Sequence, residues 1–262
     1  TKYAMAASSC CAPTCLGDLR RVRPPPRCAQ KRLFKIDELE GKAISGCERC
    51  VERRLASGGT SIRCFPAIII AGAMKAGTTE VLQAASRHPS LYTSLGEAHY
   101  FHNLPPGVPL LSMRAWAGYL WRENMYRWGS EAVTEGRGFA VEQTPSYMRH
   151  VHGAVLNIAR LLPSVRLIVL LREPVERMYS QFLMRLRLGN GRVTANSTIA
   201  RFAEANVQAF RKRVDLHGPE WHLRAEPPQL FAPAENAINE GAYAPHLRRW
   251  LAHFPRGAYA PS

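Results

Sequence analysis

Cysteine is missing from most of this chain, because all seven cysteines lie within the first 64 of its 262 residues. The remaining residues therefore contain no internal disulfide and no thiolate metal site. Cys47-x-x-Cys50 has the spacing of half a zinc site, but no second pair at metal spacing follows it. We expect these cysteines to be unstructured or loosely packed: Cys10, Cys11, Cys15, Cys28, Cys47, Cys50 and Cys64.

Long apolar runs are also absent, since no segment approaches the roughly 18 apolar residues that span a bilayer. The chain begins with Thr1 rather than Met, so a missing signal or anchor says little about location. Acidic residues are few, and the formal net charge is +15. This charge favours an anionic partner, which includes nucleic acid, a membrane surface, a nucleotide or an acidic polysaccharide.

Lysine is scarce after the first quarter of the chain. Residues 66–262 carry 22 basic residues, and only Lys75 and Lys212 among them are lysines. Arginine has a planar fork that suits phosphate and sulfate, whereas lysine offers a compact ammonium. A lone lysine within a glycine-rich segment therefore marks Lys75 as a candidate functional residue.

The composition predicts two parts of different character. Residues 1–64 form a basic, Cys- and Pro-containing extension, which we expect to be flexible or partly helical. The apolar spacing from Leu33 to Leu55 predicts one or two short amphipathic helices, followed by a linker at Ser57–Thr60. Residues 65–262 are predicted to form one ordered domain.

Two strand-loop-helix units organise the predicted domain. Pro66–Ala71 and Ser164–Leu171 are short apolar runs typical of buried parallel strands. Helices are predicted at Thr78–Arg87 and, with Pro174 at the first helical position, at Val175–Leu188. Later helices are expected around Ile199–Arg213 and His246–Phe254. This alternation predicts an α/β, P-loop-like three-layer fold with a central parallel sheet flanked by helices.

The loop of the first unit, Gly72-Ala-Met-Lys-Ala-Gly-Thr-Thr79, has the G-x-x-x-x-G frame of a Walker A loop. Thr78 occupies the position of the Walker lysine, which argues against ATP or GTP hydrolysis. Free N–H groups at the helix start, together with two threonine hydroxyls, suit an anion. The alternative is a tight connection with no ligand.

The two loops together resemble a known family. Lys75-Ala-Gly-Thr-Thr79 resembles the 5′-phosphosulfate loop of PAPS-dependent sulfotransferases, and Arg172-Glu-Pro-Val-Glu-Arg-Met-Tyr-Ser180 resembles their 3′-phosphate motif. Three further stretches resemble the carbohydrate branch, the heparan-sulfate-type N- and O-sulfotransferases: Glu97–Phe101, Glu142–Tyr147 and Tyr243–Pro255.

The resemblance implies a role for each matching residue. Lys75 would contact the bridging oxygen of PAPS, while Arg172 and Ser180 would hold its 3′-phosphate. Glu97 would be the general base, and His99 would either share the catalytic site or serve as a packed, orienting residue. No metal is needed, because positioning and charge stabilisation dominate such transfers. The 5′-phosphate would be held by the remaining loop residues: Ala76, Gly77, Thr78 and Thr79.

Some features depart from the family pattern or stay open. Gln143 stands where the family usually has lysine, which leaves acceptor type and rate open. We expect Glu142 to be a hydrogen-bonding structural residue and Arg177 to pair with a carboxylate. The aromatic stretch Trp116–Trp128 is expected to be core rather than a lid, and Asn196-Ser-Thr198 fits the glycosylation sequon.

The expected function is transfer of a sulfuryl group from PAPS to a hydroxyl or amine of a glycan, by in-line displacement. The resemblance also implies a type II membrane protein of the Golgi lumen, anchored through a segment outside this chain, and a domain incomplete at its C-terminus. An alternative is a PAP- or PAPS-binding relative that is inactive or uses a non-carbohydrate acceptor. A nucleic-acid-binding protein has only the charge in its favour, and a kinase or GTPase would show magnesium dependence.

Overall fold

A computed structural model of the protein describes residues 33–35, 50–54, 58–104, 138–149, 151–189, 193–194, 196–219 and 237–254. The predicted aromatic stretch Trp116–Trp128 lies outside the described residues. Within them, no helix is both long and apolar enough to cross a membrane.

A four-stranded parallel sheet forms the centre of the described domain. Its strand order is β5-β6-β4-β7, and each neighbouring pair is parallel. The prediction of a central parallel sheet is therefore confirmed. The strands are β4 (Ile68–Gly72), β5 (Leu91–Glu97), β6 (Phe139–Gln143) and β7 (Arg166–Val169).

Helices flank this sheet and connect its strands, as expected for an α/β fold. A short 3₁₀ turn at Pro145–Met148 and a π turn at Val151–Val155 follow β6. The helices are α1 (Thr78–Ser86), α2 (Leu156–Leu161), α3 (Pro174–Leu188), α4 (Ile199–His217), α5 (Ala237–Gly241) and α6 (Tyr243–His253).

Helix boundaries follow local capping. Glu173 precedes α3 and accepts hydrogen bonds from the N–H groups of Val175 and Glu176, while Pro174 occupies the first turn. These bonds lower the pKa of the exposed Glu173 carboxyl. Helix α6 begins at Tyr243, three residues before its predicted start, because Pro245 falls within the first turn, where its missing N–H costs little.

The prediction of short helices between Leu33 and Leu55 is wrong for those of these residues that the structure describes. Leu33–Lys35 is strand β1 and Cys50–Arg54 is strand β2, which pairs antiparallel with β3 (Thr60–Cys64). The apolar spacing across these residues therefore does not reflect a helical face. The domain boundary at residues 64 and 65 stays a prediction.

Cys64 also corrects the expectation of loosely packed cysteines. Its side chain is fully buried in the main hydrophobic cluster, beside Phe65, and it is disulfide-bonded. All other cysteines precede Cys64, so the bond ties the N-terminal part to the strand that leads into the core. Cys50 lies opposite Cys64 in the register of β2 and β3.

Burial differs between the two strands that were predicted to be buried. Strand β4 is almost wholly buried between β6 and β7. Strand β7 has one described neighbour, and its Arg166 and Ile168 side chains are exposed, so the prediction of a buried strand is wrong there. An apolar run alone does not distinguish a central strand from an outer one.

Close packing joins the end of β4 to the turn after β6. A Cβ atom on Gly72 would lie 2.5 Å from Met148 Cβ and 2.9 Å from the Pro145 carbonyl oxygen. Only glycine permits this approach, so the 3₁₀ turn fixes where the loop after β4 begins.

A buried ion pair ties α3 to α5. The Arg177 guanidinium is fully buried and lies 3.1 Å from Glu240 Oε2, and it also donates to Gln181 Oε1 and to the Ala237 carbonyl. Arg149 lies 3.6 Å from the other Glu240 oxygen. The prediction that Arg177 pairs with a carboxylate is confirmed.

Replacing Glu240 with glutamine should lower the free energy of unfolding by about 3 kcal/mol, because Arg177 would keep a buried charge without its partner. The measurement is urea denaturation. Glu176→Gln is the matched control, since Glu176 forms an exposed pair with Arg172 that is worth less than about 1 kcal/mol. Equal losses in the two variants would contradict the structural role of Glu240.

Candidate functional site

Four chain segments with predicted site residues meet at one edge of the sheet. Parallel strands place their carboxyl ends together, and ligands of open α/β sheets bind at that edge. Strand β4 runs into the glycine loop, β5 ends at Glu97, β6 ends at Gln143 and β7 leads to Arg172. Glu97 and Gln143 are register partners in neighbouring strands.

The glycine loop presents the start of α1. Gly77 adopts a left-handed conformation with φ 93°, and no side chain caps α1. The first N–H groups of the helix, including those of Thr78 and Thr79, therefore point out of its N-terminus. The Ala76 N–H is different, because it donates to the Ala73 carbonyl at 3.1 Å. The Ala76 N–H, which was predicted to hold phosphate, is therefore already hydrogen-bonded within the loop.

The two predicted catalytic residues with unusual backbones are Lys75 and His99. They have φ angles of 67° and 49°, and they are the non-glycine residues with positive φ in the described part of the chain. This conformation costs roughly 1–2 kcal/mol for residues with a Cβ. Such strain persists where the surroundings enforce it, and it concentrates at functional sites.

A cavity of about 200 Å³ brings the two predicted nucleotide motifs together. Lys75 of the glycine loop and Ser180 of α3 both line it, although they are 105 residues apart in sequence. Proximity of these two side chains is what a ligand with phosphate groups at both its 5′ and 3′ positions requires.

Arg172, the other predicted 3′-phosphate ligand, is held at the turn between β7 and α3. Its side chain is half-exposed, and its Nε lies 3.2 Å from Glu176 Oε2. Its backbone is fixed by Tyr243, whose hydroxyl donates to the Arg172 carbonyl at 2.7 Å and accepts from the Arg172 N–H at 3.4 Å. Tyr243 lies in the matching stretch Tyr243–Pro255, but the family resemblance implied no role for it.

Glu97 and His99 form a half-exposed pair at the end of β5. Glu97 Oε2 lies 3.0 Å from His99 Nε2, and Ser146 Oγ lies 3.4 Å from His99 Nδ1. In a neutral imidazole, Nε2–H donates to the carboxylate and Nδ1 accepts from the serine hydroxyl. The imidazole thus contacts both Glu97 and Ser146, and the Ser146 contact was not predicted from the sequence.

A buried carboxylate holds the backbone that carries this pair. Glu142 is fully buried, and its Oε1 accepts from the Thr144 hydroxyl at 3.0 Å and the Tyr147 hydroxyl at 2.7 Å. Each hydroxyl in turn accepts from two backbone N–H groups, those of Ala98 and His99 at Thr144 and those of Tyr100 and Phe101 at Tyr147.

We call Glu142, Thr144 and Tyr147 the Glu142 clamp. Burial and the Glu142 carboxylate together raise the pKa of the Tyr147 hydroxyl well above its usual value, so this hydroxyl stays protonated and keeps donating. The expectation that Glu142 is a hydrogen-bonding structural residue is confirmed. The family resemblance implied no role for Thr144 or Tyr147, although both lie in the matching stretch Glu142–Tyr147.

Gln143 links the strand next to Glu97 to the glycine loop. Its side chain is buried, and its Nε2 donates to Thr78 Oγ1 at 3.3 Å. Within the described residues its Oε1 is also buried and has no hydrogen-bond partner. The residue that departs from the family pattern thus touches the glycine loop from the strand next to Glu97.

Fold and site together define an α/β protein with a candidate anion-binding and group-transfer site at the carboxyl edge of its parallel sheet. The sulfotransferase domain family matches residues 65–260, so the chain belongs to the sulfotransferase family. Heparan sulfate sulfotransferases are among the proteins that it resembles.

Three relatives illustrate the similarity. Mouse (Mus musculus) heparan sulfate glucosamine 3-O-sulfotransferase 6 is 26% identical over 76% of this chain and 46% of its own length. Mouse heparan sulfate glucosamine 3-O-sulfotransferase 3A1 is 29% identical over 74% and 39%. The bifunctional heparan sulfate N-deacetylase/N-sulfotransferase 2 of cattle (Bos taurus) is 23% identical over 93% and 25%. The chain spans less than half the length of these relatives.

A solved structure is also similar, the sulfotransferase from Alicyclobacillus acidocaldarius. It is 20% identical, with a TM-score of 0.49, and the match covers 73% of this chain and 70% of that one.

Tyr147→Phe should loosen the segment that carries Glu97 and His99. The variant removes the donor to buried Glu142 and the acceptor of two backbone N–H groups, so the free energy of unfolding should fall by about 2 kcal/mol. Hydrogen–deuterium exchange should speed up at the amides of Tyr100 and Phe101.

Tyr179→Phe provides the control, because the Tyr179 side chain is half-exposed on α3. Exchange in α4 should stay unchanged in both variants. Faster exchange throughout the chain in Tyr147→Phe, rather than at this segment, would show that the Glu142 clamp has no local role.

Proposed function

We propose that this protein transfers the sulfuryl group of PAPS to a hydroxyl or amine of a carbohydrate acceptor, of the glycosaminoglycan type. The observation that carries the proposal is the convergence of Lys75 and Ser180 on one cavity. These residues come from the two motifs that resemble the 5′- and 3′-phosphate sites of the family.

In the donor half of the site, cationic and hydrogen-bond-donating groups would bind the phosphates of PAPS. The start of α1 and the Thr79 hydroxyl would hold the 5′-phosphate, while Arg172 and Ser180 would hold the 3′-phosphate. Lys75 would stabilise negative charge on the bridging oxygen as its bond to sulfur breaks. The buried Thr78 hydroxyl accepts from Gln143, which leaves its own proton free to point towards phosphate.

The acceptor half depends on Glu97. A carboxylate within reach of an acceptor hydroxyl can take its proton while the new bond between oxygen and sulfur forms. His99 would orient this carboxylate through Nε2, and the Glu142 clamp would keep both residues at the end of β5. PAP then leaves with the negative charge that Lys75 stabilises.

The proposal of a glycan acceptor is supported by the relatives, which are heparan sulfate sulfotransferases by name. The arginine-rich composition suits an acidic polysaccharide as well as a nucleotide. The alternative is a relative that binds PAP or PAPS without transfer, or that uses a non-carbohydrate acceptor. Gln143 in place of lysine is the feature that favours this alternative.

We also propose that the protein works in the Golgi lumen, with a membrane anchor outside this chain. The buried disulfide at Cys64 supports an oxidising compartment, where such bonds form and persist. Asn196 of the sequon is exposed just before α4, a position that a glycan can occupy.

PAP should stabilise the protein against thermal unfolding without magnesium. At about 100 times its Kd, PAP should add roughly 2.7 kcal/mol to the free energy of unfolding. The shift should exceed that of ADP and disappear in Lys75→Ala and Arg172→Ala. Glu97→Gln should retain the shift while losing sulfuryl transfer.

A magnesium-dependent shift with ADP that exceeds the PAP shift would instead point to a phosphoryl-transfer protein. A retained PAP shift in Lys75→Ala together with Arg172→Ala would show that the nucleotide binds elsewhere. Lys212→Ala is the control for loss of a lysine, because Lys212 is exposed on α4.

Tyr243→Phe should weaken recognition of the 3′-phosphate alone. The lost hydroxyl bonds the backbone of Arg172, so the affinity for PAP should fall about fivefold while that for AMP stays unchanged. Calorimetry of both nucleotides measures the difference. A similar loss for AMP would mean that Tyr243 supports the whole site rather than the Arg172 turn.

A further inference from the structure

Gln143 is a buried polar residue whose hydrogen bonding is only half satisfied. Its side chain is 4% exposed, and its Nε2 donates to Thr78 Oγ1 at 3.3 Å. Its Oε1 is buried as well and has no partner among the residues that the structure describes. A buried acceptor without a donor lowers stability, whereas an apolar side chain of similar length would avoid that loss. Stability alone therefore does not account for glutamine at this position.

The backbone fixes where this amide lies. Gln143 is the last residue of β6, and its N–H donates to the buried Ser94 hydroxyl of β5 at 3.4 Å. The next N–H, that of Thr144, donates to the Ile70 carbonyl of β4 at 3.1 Å. Because the end of β6 is held from both sides, the Gln143 side chain reaches the first residue of α1, Thr78.

Thr78 connects the amide to the N-terminus of α1. Its side chain is 4% exposed, so the contact with Gln143 is shielded from water. A hydroxyl that accepts from an amide N–H keeps its own proton for another acceptor. An anion at the start of a helix supplies such an acceptor, because the first N–H groups of the helix bind it there. The amide thus leaves Thr78 as a donor to that anion.

A cation at position 143 would act in another way. The family usually has lysine where this chain has Gln143. An ammonium carries a charge that attracts an anion directly, whereas a neutral amide acts only through the group that it contacts. For Gln143 the contacted group is the Thr78 hydroxyl. The exchange of residue type therefore replaces a direct charge with an indirect hydrogen bond.

We infer that Gln143 is a positioning residue that acts through Thr78 on the 5′-phosphate of the ligand. Its Nε2–H holds the Thr78 hydroxyl as a hydrogen-bond donor towards a phosphate oxygen. The unpaired Oε1 follows from this role, because an amide brings an acceptor that the role does not use. The inference rests on the proposed function for the identity of the anion and extends it by a link from β6 to the glycine loop.

Three nucleotides separate the 5′-phosphate from the rest of the ligand. PAP has both phosphates, AMP has only the 5′-phosphate, and adenosine 3′-phosphate has only the 3′-phosphate. Gln143→Met removes the amide N–H at nearly constant side-chain length. The affinities for PAP and AMP should fall about fivefold, while that for adenosine 3′-phosphate stays unchanged. Calorimetry on the full chain measures all three affinities.

Further variants test whether the effect passes through Thr78. Gln143→Lys keeps a donor to Thr78, so it should retain the affinities for PAP and AMP and make them more sensitive to salt. In a Thr78→Val background the link is already lost, so adding Gln143→Met should cause no further loss. Gln208→Met is the matched control, because Gln208 is exposed on α4, and it should leave all three affinities unchanged.

Ligand-free stability gives a readout that a merely structural role would move in the opposite direction. Because Gln143→Met removes a half-satisfied buried amide, its thermal midpoint should equal or exceed that of the wild type. In ³¹P NMR of bound PAP, the variant should shift the 5′-phosphate resonance and leave the 3′-phosphate resonance in place. A lower midpoint with equal losses for the three nucleotides would overturn the inference, and so would a further loss in the Thr78→Val background.

Failure of the proposed function has a different signature. In that case no nucleotide binds in a way that depends on Lys75 and Arg172, and inorganic phosphate becomes the probe. Thermal stabilisation by phosphate that weakens in Gln143→Met but not in Gln208→Met would retain the link through Thr78 as part of an anion site. Stabilisation that is absent, or that Gln143→Met leaves unchanged, would overturn the inference as well.

Discussion

Parallel pairing of β4 between β6 and β7 is the constraint on which the described domain depends. Because all strands of the sheet run in one direction, each delivers its following loop to the same edge. The glycine loop, Gln143 and Arg172 therefore meet although they are far apart in sequence. Glu97 joins them from β5, on the other side of β6.

Hydrogen bonds of tyrosine and threonine hydroxyls fix the positions of the residues at this edge of the sheet. A parallel sheet places strand ends together to within several ångströms, but a transfer site needs finer control of each side chain. The Glu142 clamp supplies that control for the Glu97 segment, and Tyr243 supplies it for the Arg172 turn. Each uses a hydroxyl that donates once and also accepts, so one side chain fixes several groups.

The sequence predicted the two strand-loop-helix units well because their signals are local. Proline at the first position of α3 and the apolar run before the glycine loop depend on neighbouring residues alone. Strands β5 and β6 were missed, since Leu91–Glu97 and Phe139–Gln143 lack a continuous apolar run. The partners Thr144, Tyr147 and Glu240 could not be assigned either, because hydrogen bonds between residues 45 to 63 positions apart leave no periodic trace.

Helix α3 is anchored by a buried ion pair and carries a predicted phosphate ligand on the same rigid element. Ser180 lies in its middle and Arg187 in its last turn, while Arg177 anchors it through Glu240. A ligand that contacts Ser180 therefore acts on a helix whose position depends on the Arg177–Glu240 pair. If nucleotide binding at Ser180 fixes this helix, linkage requires that the nucleotide and the Arg177–Glu240 pair stabilise each other by the same free energy.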